Sequence, residues 1–391
     1  YWTIDALFNK KTGGKEPFSA SLHSYNTKKL DKFAIPRKLE AEDMRKTLEK
    51  LPYAVQTITI KEARKKPFPP FRTSTLQQDA HSKFGFSSKQ TMMLAQKLYE
   101  GVHLGHTKGA TGLITYMRTD STSLANKFIV QAKNYLETTL GAKYSFEKPR
   151  IFKNKAKGAQ EAHEAIRPTD ITHTPEFVKP FLEPREHKLY SIIWQRALAS
   201  LMGDAIINNT IVEIEGKQGD TTAIFRAVGT RIVFDGFLKI YPMKVNENEL
   251  PKLEANEPLS LEKMSADQHF TEPPPRYNDA SLVKELEKRG VGRPSTYAPT
   301  LDTIITRRYV ERDEQKRFIP TEIGELVNDL LEKHFPNIVD YNFTAEMENS
   351  LDDIAEKGTS WNQVLENFYT PFAASLKEKY DEVDKKSITQ E

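Results

Sequence analysis

The 391-residue sequence has no cysteine. Disulfides, thiolate metal sites and cysteine nucleophiles are therefore excluded, and a reducing compartment fits. No stretch approaches the roughly 18 consecutive apolar residues of a membrane-crossing helix, and no leader pattern opens the chain. A Gly-x-x-x-x-Gly-Lys-Ser/Thr loop is missing as well, which is consistent with chemistry that needs no ATP. Net charge is small: 57 Lys and Arg against 54 Asp and Glu leave +3, a balance that by itself says nothing about nucleic acid.

The distribution of that charge says more. From Lys61 to Arg118 there are ten Lys and Arg against three Asp and Glu, whereas Asp340 to Glu391 holds twelve acids against five bases. The acidic block reads as a solvated helical face. With 38% apolar and 28% charged residues, the length suits two to four domains in an open arrangement. The first residue is Tyr1, already in strand-like sequence, which suggests a piece of something longer.

Alternating apolar residues predict strands in 1–8, 18–25 and 53–60, with a turn at Gly13-Gly14 and a short charged helix over 40–50. Prolines 67, 69 and 70 then stop regular structure. Ser74 is placed to cap a helix ending at Gly85, and Ser87 with Gln90 forms a capping box for a second helix ending near Gly101. The pair has helix-turn-helix character. In the loop beyond it, His103 and His106 lack an acidic or cysteine partner and read as loop residues, not metal ligands.

Strands return over 210–270, where Val212 and Ile214 alternate inward. Strands before and after a helical region imply a discontinuous β-rich domain, 1–65 with 205–270, able to act as a hinge. It is interrupted by a catalytic domain over 66–204 and followed by a helical domain over 271–391. In the last, Asp279 is placed to cap a helix ending at Gly290, Thr296 starts another to Arg308, and a hairpin follows, as in a winged helix. The loop between the helices offers Gly292, Arg293, Ser295 and Thr296 to a backbone phosphate, with Arg307 a further candidate. The remaining helices, over 321–334, 344–357 and 361–380, read as packing elements.

Everything is organised around Gly112-Leu-Ile-Thr-Tyr116-Met-Arg118-Thr-Asp-Ser121. Residues 112–118 read as a strand and 121–140 as a helix opened by Asp120. Strand alternation turns Tyr116 and Arg118 to one face and Met117 to the other. A phenol near pKa 10 is a poor nucleophile unless positive charge stabilises the phenolate, and Arg118 supplies a fork for two phosphate oxygens. The helix would add its positive end. A tyrosine that merely finds a hydrogen bond stands as the alternative.

A second stretch, His163-Glu-Ala-Ile-Arg167, nearly matches a zinc-protease pattern, but arginine at the second ligand position rules that out. Helical spacing would set His163 and Arg167 on one face, suited to positioning a phosphodiester. A satisfied structural histidine is the competing reading.

Three long motifs occur in order: Thr115-Tyr116-Met117-Arg118-Thr119-Asp120-Ser121, Gln160-Glu-Ala-His163-Glu-Ala-Ile-Arg167-Pro-Thr169 and Glu287-Lys-Arg-Gly-Val-Gly-Arg293-Pro-Ser-Thr296-Tyr. Together they resemble type IA DNA topoisomerases, the bacterial topoisomerase I group in particular. The resemblance implies a mixed α and β multidomain fold, an open or toroidal arch with a β-rich hinge, a helical catalytic domain and a winged-helix-like domain. It implies that Tyr116 attacks DNA to form a 5′-phosphotyrosine, that Arg118 holds the scissile phosphate and that His163 positions the strand. Arg167, Arg293, Ser295, Thr296 and Arg307 would contact DNA. It further implies relaxation of negative supercoils, single-stranded and negatively supercoiled DNA as partners, a monomer, and a cytoplasmic, nucleoid-associated location.

The family's magnesium ion is carried by an N-terminal TOPRIM domain, and no clustered Asp-x-Asp stands near the start of this chain. The chain alone is therefore expected to be inactive in cleavage. A noncatalytic winged-helix nucleic-acid-binding module is the alternative. Tyrosine recombinases place histidine and arginine before the tyrosine, and here Tyr116 precedes His163.

Overall fold

Contacts divide the computed structural model, which describes residues 1–11, 16–105, 109–152 and 163–382, into two compact units. One is Tyr1–Pro67 with Met202–Pro274, and the other is Phe68–Leu201 with the described residues from Pro275 onward. Segments expected to form a catalytic and a DNA-binding domain thus fall in one unit. The Gly13-Gly14 turn, His106 and residues 160–162 of the histidine motif lie outside the described residues, as does much of the basic connector before that motif.

The first unit holds β1 (Trp2–Lys10), β2 (Phe18–Tyr25), β3 (Lys28–Lys29), α1 (Lys38–Leu48), β4 (Tyr53–Lys65), β5 (Ala205–Gln218), β6 (Thr221–Phe234) and β7 (Pro258–Gln268). The strands are ordered β1-β7-β4-β5-β6-β2-β3, every pairing is antiparallel, and β1 also pairs with β2. Six strands therefore close into a ring, which removes most of the free edge. Period-two alternation fills the interior: Ile4, Ala6 and Phe8 from β1, Val212 and Ile214 from β5, Ala223, Phe225 and Ala227 from β6. At its centre Phe8, Tyr53 and Phe225 meet edge to face, with centroids 4.9–5.7 Å apart.

One glycine makes that cluster possible. The Tyr53 hydroxyl donates to the Leu48 carbonyl at 2.7 Å, which anchors the ring, and a Cβ on the facing Gly216 would run into it. Gly216→Ala should therefore destabilise this unit by about 1–3 kcal/mol through overpacking, read as a lower urea midpoint in circular dichroism. An unchanged midpoint would show that the ring can retreat.

The second unit holds α2 (Thr73–Phe84), α3 (Ser88–Glu100), α4 (Asn126–Thr139), α5 (Pro175–Val178), α6 (Pro184–Ser200), α7 (Asp279–Arg289), α8 (Tyr297–Thr306), β8 (Val310–Arg312), β9 (Phe318–Pro320), α9 (Glu322–His334), α10 (Pro336–Val339), α11 (Tyr341–Lys357) and α12 (Trp361–Glu382). Its most buried helix, α6, covers Leu189, Tyr190, Ile193 and Ala197 completely. Val283, Tyr297, Leu301 and Phe318 form the small core of the α7-α8-β8-β9 piece, two helices followed by a two-stranded hairpin in the expected order.

Two caps differ from expectation, and for one reason. Arg72, not Ser74, precedes α2, its amide donating to the Thr75 hydroxyl, and the Ser74 hydroxyl instead donates to Glu287 at 2.8 Å. Asn278, not Asp279, caps α7 by accepting from the Ser281 amide. The buried Asp279 carboxylate is left to accept from the Ser88 amide at 2.8 Å and from Arg312 at 2.7 Å. In both cases a residue suited to a local cap is taken by a distant partner.

Candidate active site

Backbone on both sides of Tyr116 is fixed from outside its own segment. Before it, the Thr115 hydroxyl donates to the Ala165 carbonyl at 2.7 Å, and the amides of Thr115 and Arg167 bond to the 165–167 stretch and to that hydroxyl. After it, the Thr73 hydroxyl donates to the carbonyls of Met117 (2.7 Å) and Thr119 (3.0 Å) and accepts from the Thr119 amide. Met117 is 1% exposed, so it plugs the core between these ties. Tyr116 and Arg118 are left facing solvent, Tyr116 with 36% of its surface.

That alternation is the expected one, but the expected strand over 112–118 is not formed. The segment is extended, with Ile114 bridging Pro168 alone, and it bends at Thr115 and again after Tyr116. The helix expected from 121 is α4, starting at Asn126, so Asp120 caps nothing and the helix end is not beside Tyr116 in sequence. The Ala125 amide at its start donates to Glu164 at 3.2 Å. Residues 163–167 are also extended rather than helical, with Ile166 bridging Phe71. A helical face does not join His163 to Arg167.

His163 nonetheless comes to the tyrosine, its ring centroid 5.9 Å from that of Tyr116. Tyr99, from the last turn of α3, meets Tyr116 from another direction, edge to face at 5.3 Å. Tyr116, Arg118, Thr119, Asp120, His163, Arg293, Pro294, Ser295 and Asp352 line one cleft of about 410 Å³. A neighbouring cleft of about 360 Å³ shares Thr119, Asp120, Arg293 and Pro294 with it and adds Arg72, Glu287 and Gly292.

Arginines here divide by what holds them. Arg118 has no hydrogen-bond or ion-pair partner among the described residues. Arg167 is committed to the fold: its Nε donates to Glu164 at 2.6 Å, one terminal nitrogen donates to the Pro168 carbonyl, and its guanidinium stacks 5.0 Å over Phe128. Arg293 lines the cleft but is held by α11, donating to Glu348 (2.9 Å), Asp352 (2.8 Å) and Asn349 (3.2 Å). The Gly292 amide donates to the same Glu348 at 2.7 Å. The Thr296 hydroxyl is taken by the Arg293 backbone, whereas Ser295 is exposed on the cleft wall. Arg307 is exposed at the end of α8 and is absent from the lining of both clefts.

Sequence reasoning passed over several groups now in the site. Arg72 reaches it through an ion pair with Glu287 at 2.8 Å. Glu348 and Asp352 stand four apart on α11, a spacing legible in sequence, but nothing local says that they face Arg293. Burial pushes the Asp120 carboxyl up from the ordinary value, opposed by its own backbone amide, Arg72 and Arg293 and aided by Asp352. Among the described residues no group of three or more His, Asp or Glu side chains is placed to hold a metal ion, and no helix is long and apolar enough to cross a membrane.

An exposed phenol flanked by an unpaired guanidinium and an imidazole can bind a phosphodiester and attack it. Comparison with known proteins gives the same direction. A family profile described as DNA topoisomerase matches residues 1–366. The chain belongs to the type IA DNA topoisomerase family. It is 43% identical to DNA topoisomerase 1 of Rickettsia felis over 396 residues, covering 100% of this chain and 50% of that protein. It is 40% identical to DNA topoisomerase 1 of Campylobacter jejuni, covering 100% and 54%. Full-length topoisomerase I from Thermotoga maritima superposes with a TM-score of 0.76 at 34% identity, over 96% of this chain and 58% of that one. The chain thus spans about half the length of the curated relatives it matches.

Replacing both α11 acids, Glu348→Gln with Asp352→Asn, removes two negative charges from around the cleft and releases Arg293. Affinity for a single-stranded oligonucleotide should rise several-fold at low salt, and the gain should shrink between roughly 50 and 200 mM salt. Fluorescence anisotropy measures both. Unchanged affinity would mean that the DNA backbone does not pass Arg293.

Proposed function

We propose that this chain is the nucleophile-bearing part of a type IA topoisomerase that cleaves and reseals single-stranded DNA and so relaxes negative supercoils. Tyr116 Oη attacks the scissile phosphorus, the bond to the 3′ oxygen breaks, and the DNA 5′ phosphate is joined to the tyrosine. Because the phosphotyrosine keeps the energy of the ester, the returning 3′ hydroxyl reseals the strand without a nucleotide. Arg118 holds the phosphate and stabilises the charge that develops on it, while His163 positions the strand. Arg293, Ser295 and Thr296 continue the phosphate path, with Arg167 and Arg307 further along it.

The observation that carries this reading is the Tyr116–Arg118 pair itself. Every other named arginine in the cleft is held by a carboxylate, and Arg118, two residues from the phenol, is held by none among the described residues. Magnesium and the acid that protonates the leaving oxygen would come from a TOPRIM domain outside these residues. The working enzyme would then be a monomer in the cytoplasm, at the nucleoid.

Covalent trapping tests it. The chain is mixed with an end-labelled single-stranded oligonucleotide and a separately supplied upstream acidic domain with magnesium, then denatured. An adduct on the 5′-phosphate side should form, vanish in Tyr116→Phe, and fall by about a hundredfold or more in Arg118→Ala, the loss typical of a charge-stabilising donor. DNA binding with no adduct, despite a folded and associated partner domain, would favour a noncatalytic module.

A further inference from the structure

Tyr99 has no part in the reading above, yet it is the aromatic side chain nearest the nucleophile that remains open. It lies in the last turn of α3, the residue is 41% exposed, and its ring meets that of Tyr116 at a centroid distance of 5.3 Å. Its hydroxyl has no hydrogen-bond partner among the described residues. The contact is built in from the backbone: a Cβ on Gly112 would lie 2.8 Å from the Tyr99 carbonyl oxygen, so the two segments pass as closely as glycine allows. A buried packing tyrosine would show little surface and a satisfied hydroxyl.

From these observations we infer that Tyr99 is a stacking platform for the base of the nucleotide whose 5′ phosphate is taken by Tyr116. A phosphate at the Tyr116 hydroxyl carries its own sugar and base within one nucleotide's reach of that hydroxyl. Every base offers a π-face, and an exposed phenol beside the backbone path is the usual means of holding a single strand without reading its sequence. Helical spacing places Lys89, Met92 and Gln96 on the Tyr99 side of α3. Lys89 and Met92 line a smaller cleft of about 240 Å³ together with Arg118. Arg118 thus borders both clefts, and a strand leaving Tyr116 would pass from one to the other beside Lys89 and Met92 of α3.

This inference rests on the proposed phosphate site at Tyr116 and Arg118, and its test separates the two. The probe is a short oligonucleotide with a 5′ phosphate and 2-aminopurine as its first base, titrated into the whole chain, so that the phosphate fixes the register without any cleavage. The 5′ phosphate should tighten binding relative to a 5′ hydroxyl, and Arg118→Ala should erase that difference. Binding should quench the first-base fluorescence. Tyr99→Leu should lose the quench and bind about tenfold more weakly, whereas Tyr99→Phe stays within about twofold of wild type. With an abasic first nucleotide, wild type and Tyr99→Leu should bind alike.

If the phosphate effect persists but Tyr99→Leu quenches and binds as wild type does, the stacking role is wrong. It is equally wrong if Tyr99→Leu weakens the abasic probe as much as the normal one, since that is the mark of a packing role. A 5′ phosphate that gives wild type no advantage would overturn the phosphate site, and the stacking inference with it.

Discussion

The hydroxyl of Thr73 is the tie on which the site depends. One oxygen at the start of α2 donates toward the carbonyls of Met117 and Thr119 and accepts the Thr119 amide, all out of solvent. A segment without regular structure ordinarily leaves such groups to water, and buried without partners they would each cost about 1–3 kcal/mol. Met117 and Thr119 are held as firmly as strand residues would be, while Tyr116 and Arg118, before and between them, stay exposed. The result is a tyrosine held on an irregular segment with strand-like precision, which is what the proposed role of Tyr116 as a nucleophile would require.

Charge in the cleft is arranged by the same economy of partners. Arg72, Arg167 and Arg293 are each satisfied by a carboxylate, and their positive potential is largely neutralised where they stand. Arg118 alone among these four has no partner for its donors among the described residues. The helices expected as packing elements therefore do more than pack, since α11 supplies Glu348 and Asp352 to hold Arg293. Carboxylate and phosphate present the same planar demand to a guanidinium, so exchanging one for the other changes little in geometry.

Legibility in the sequence followed the range of the interactions. Period-two alternation found β5, with Val212 and Ile214 inward, because strand burial is a local consequence of the pleat. Ser87 was legible as a cap of α3, and its hydroxyl does accept the Gln90 amide. Ser74 and Asp279 carried the same local signal and were misread, because Glu287 in one case and Ser88 and Arg312 in the other outcompete the helix end. The alternation of Tyr116, Met117 and Arg118 survived the loss of the strand on which it was argued, since any extended backbone alternates. The helix at 121 and the helical spacing of His163 and Arg167 failed for the converse reason: the ties that fix Thr115, Ala165 and Ile166 span some 50 residues or more, and no window shows them.

These long-range ties have a physical character that bears on motion. Between residues 68–201 and those from 275 onward, many of the side-chain contacts are polar: Arg72 and Ser74 with Glu287, the Ser88 amide with Asp279, Lys89 with Asp302, and Lys316 with the Gly85 carbonyl. Beside them on α2, the amide of Gln77 is fully buried, and neither its oxygen nor its nitrogen has a partner among the described residues. An apolar seam of the same extent would be stabilised by area and would not weaken with salt. An exposed pair such as Lys89 with Asp302 is worth little, and an unsatisfied buried amide costs stability rather than adding to it. Water or an anion can replace the exposed contacts at small net cost, so this seam holds its two sides in register partly through contacts that remain exchangeable.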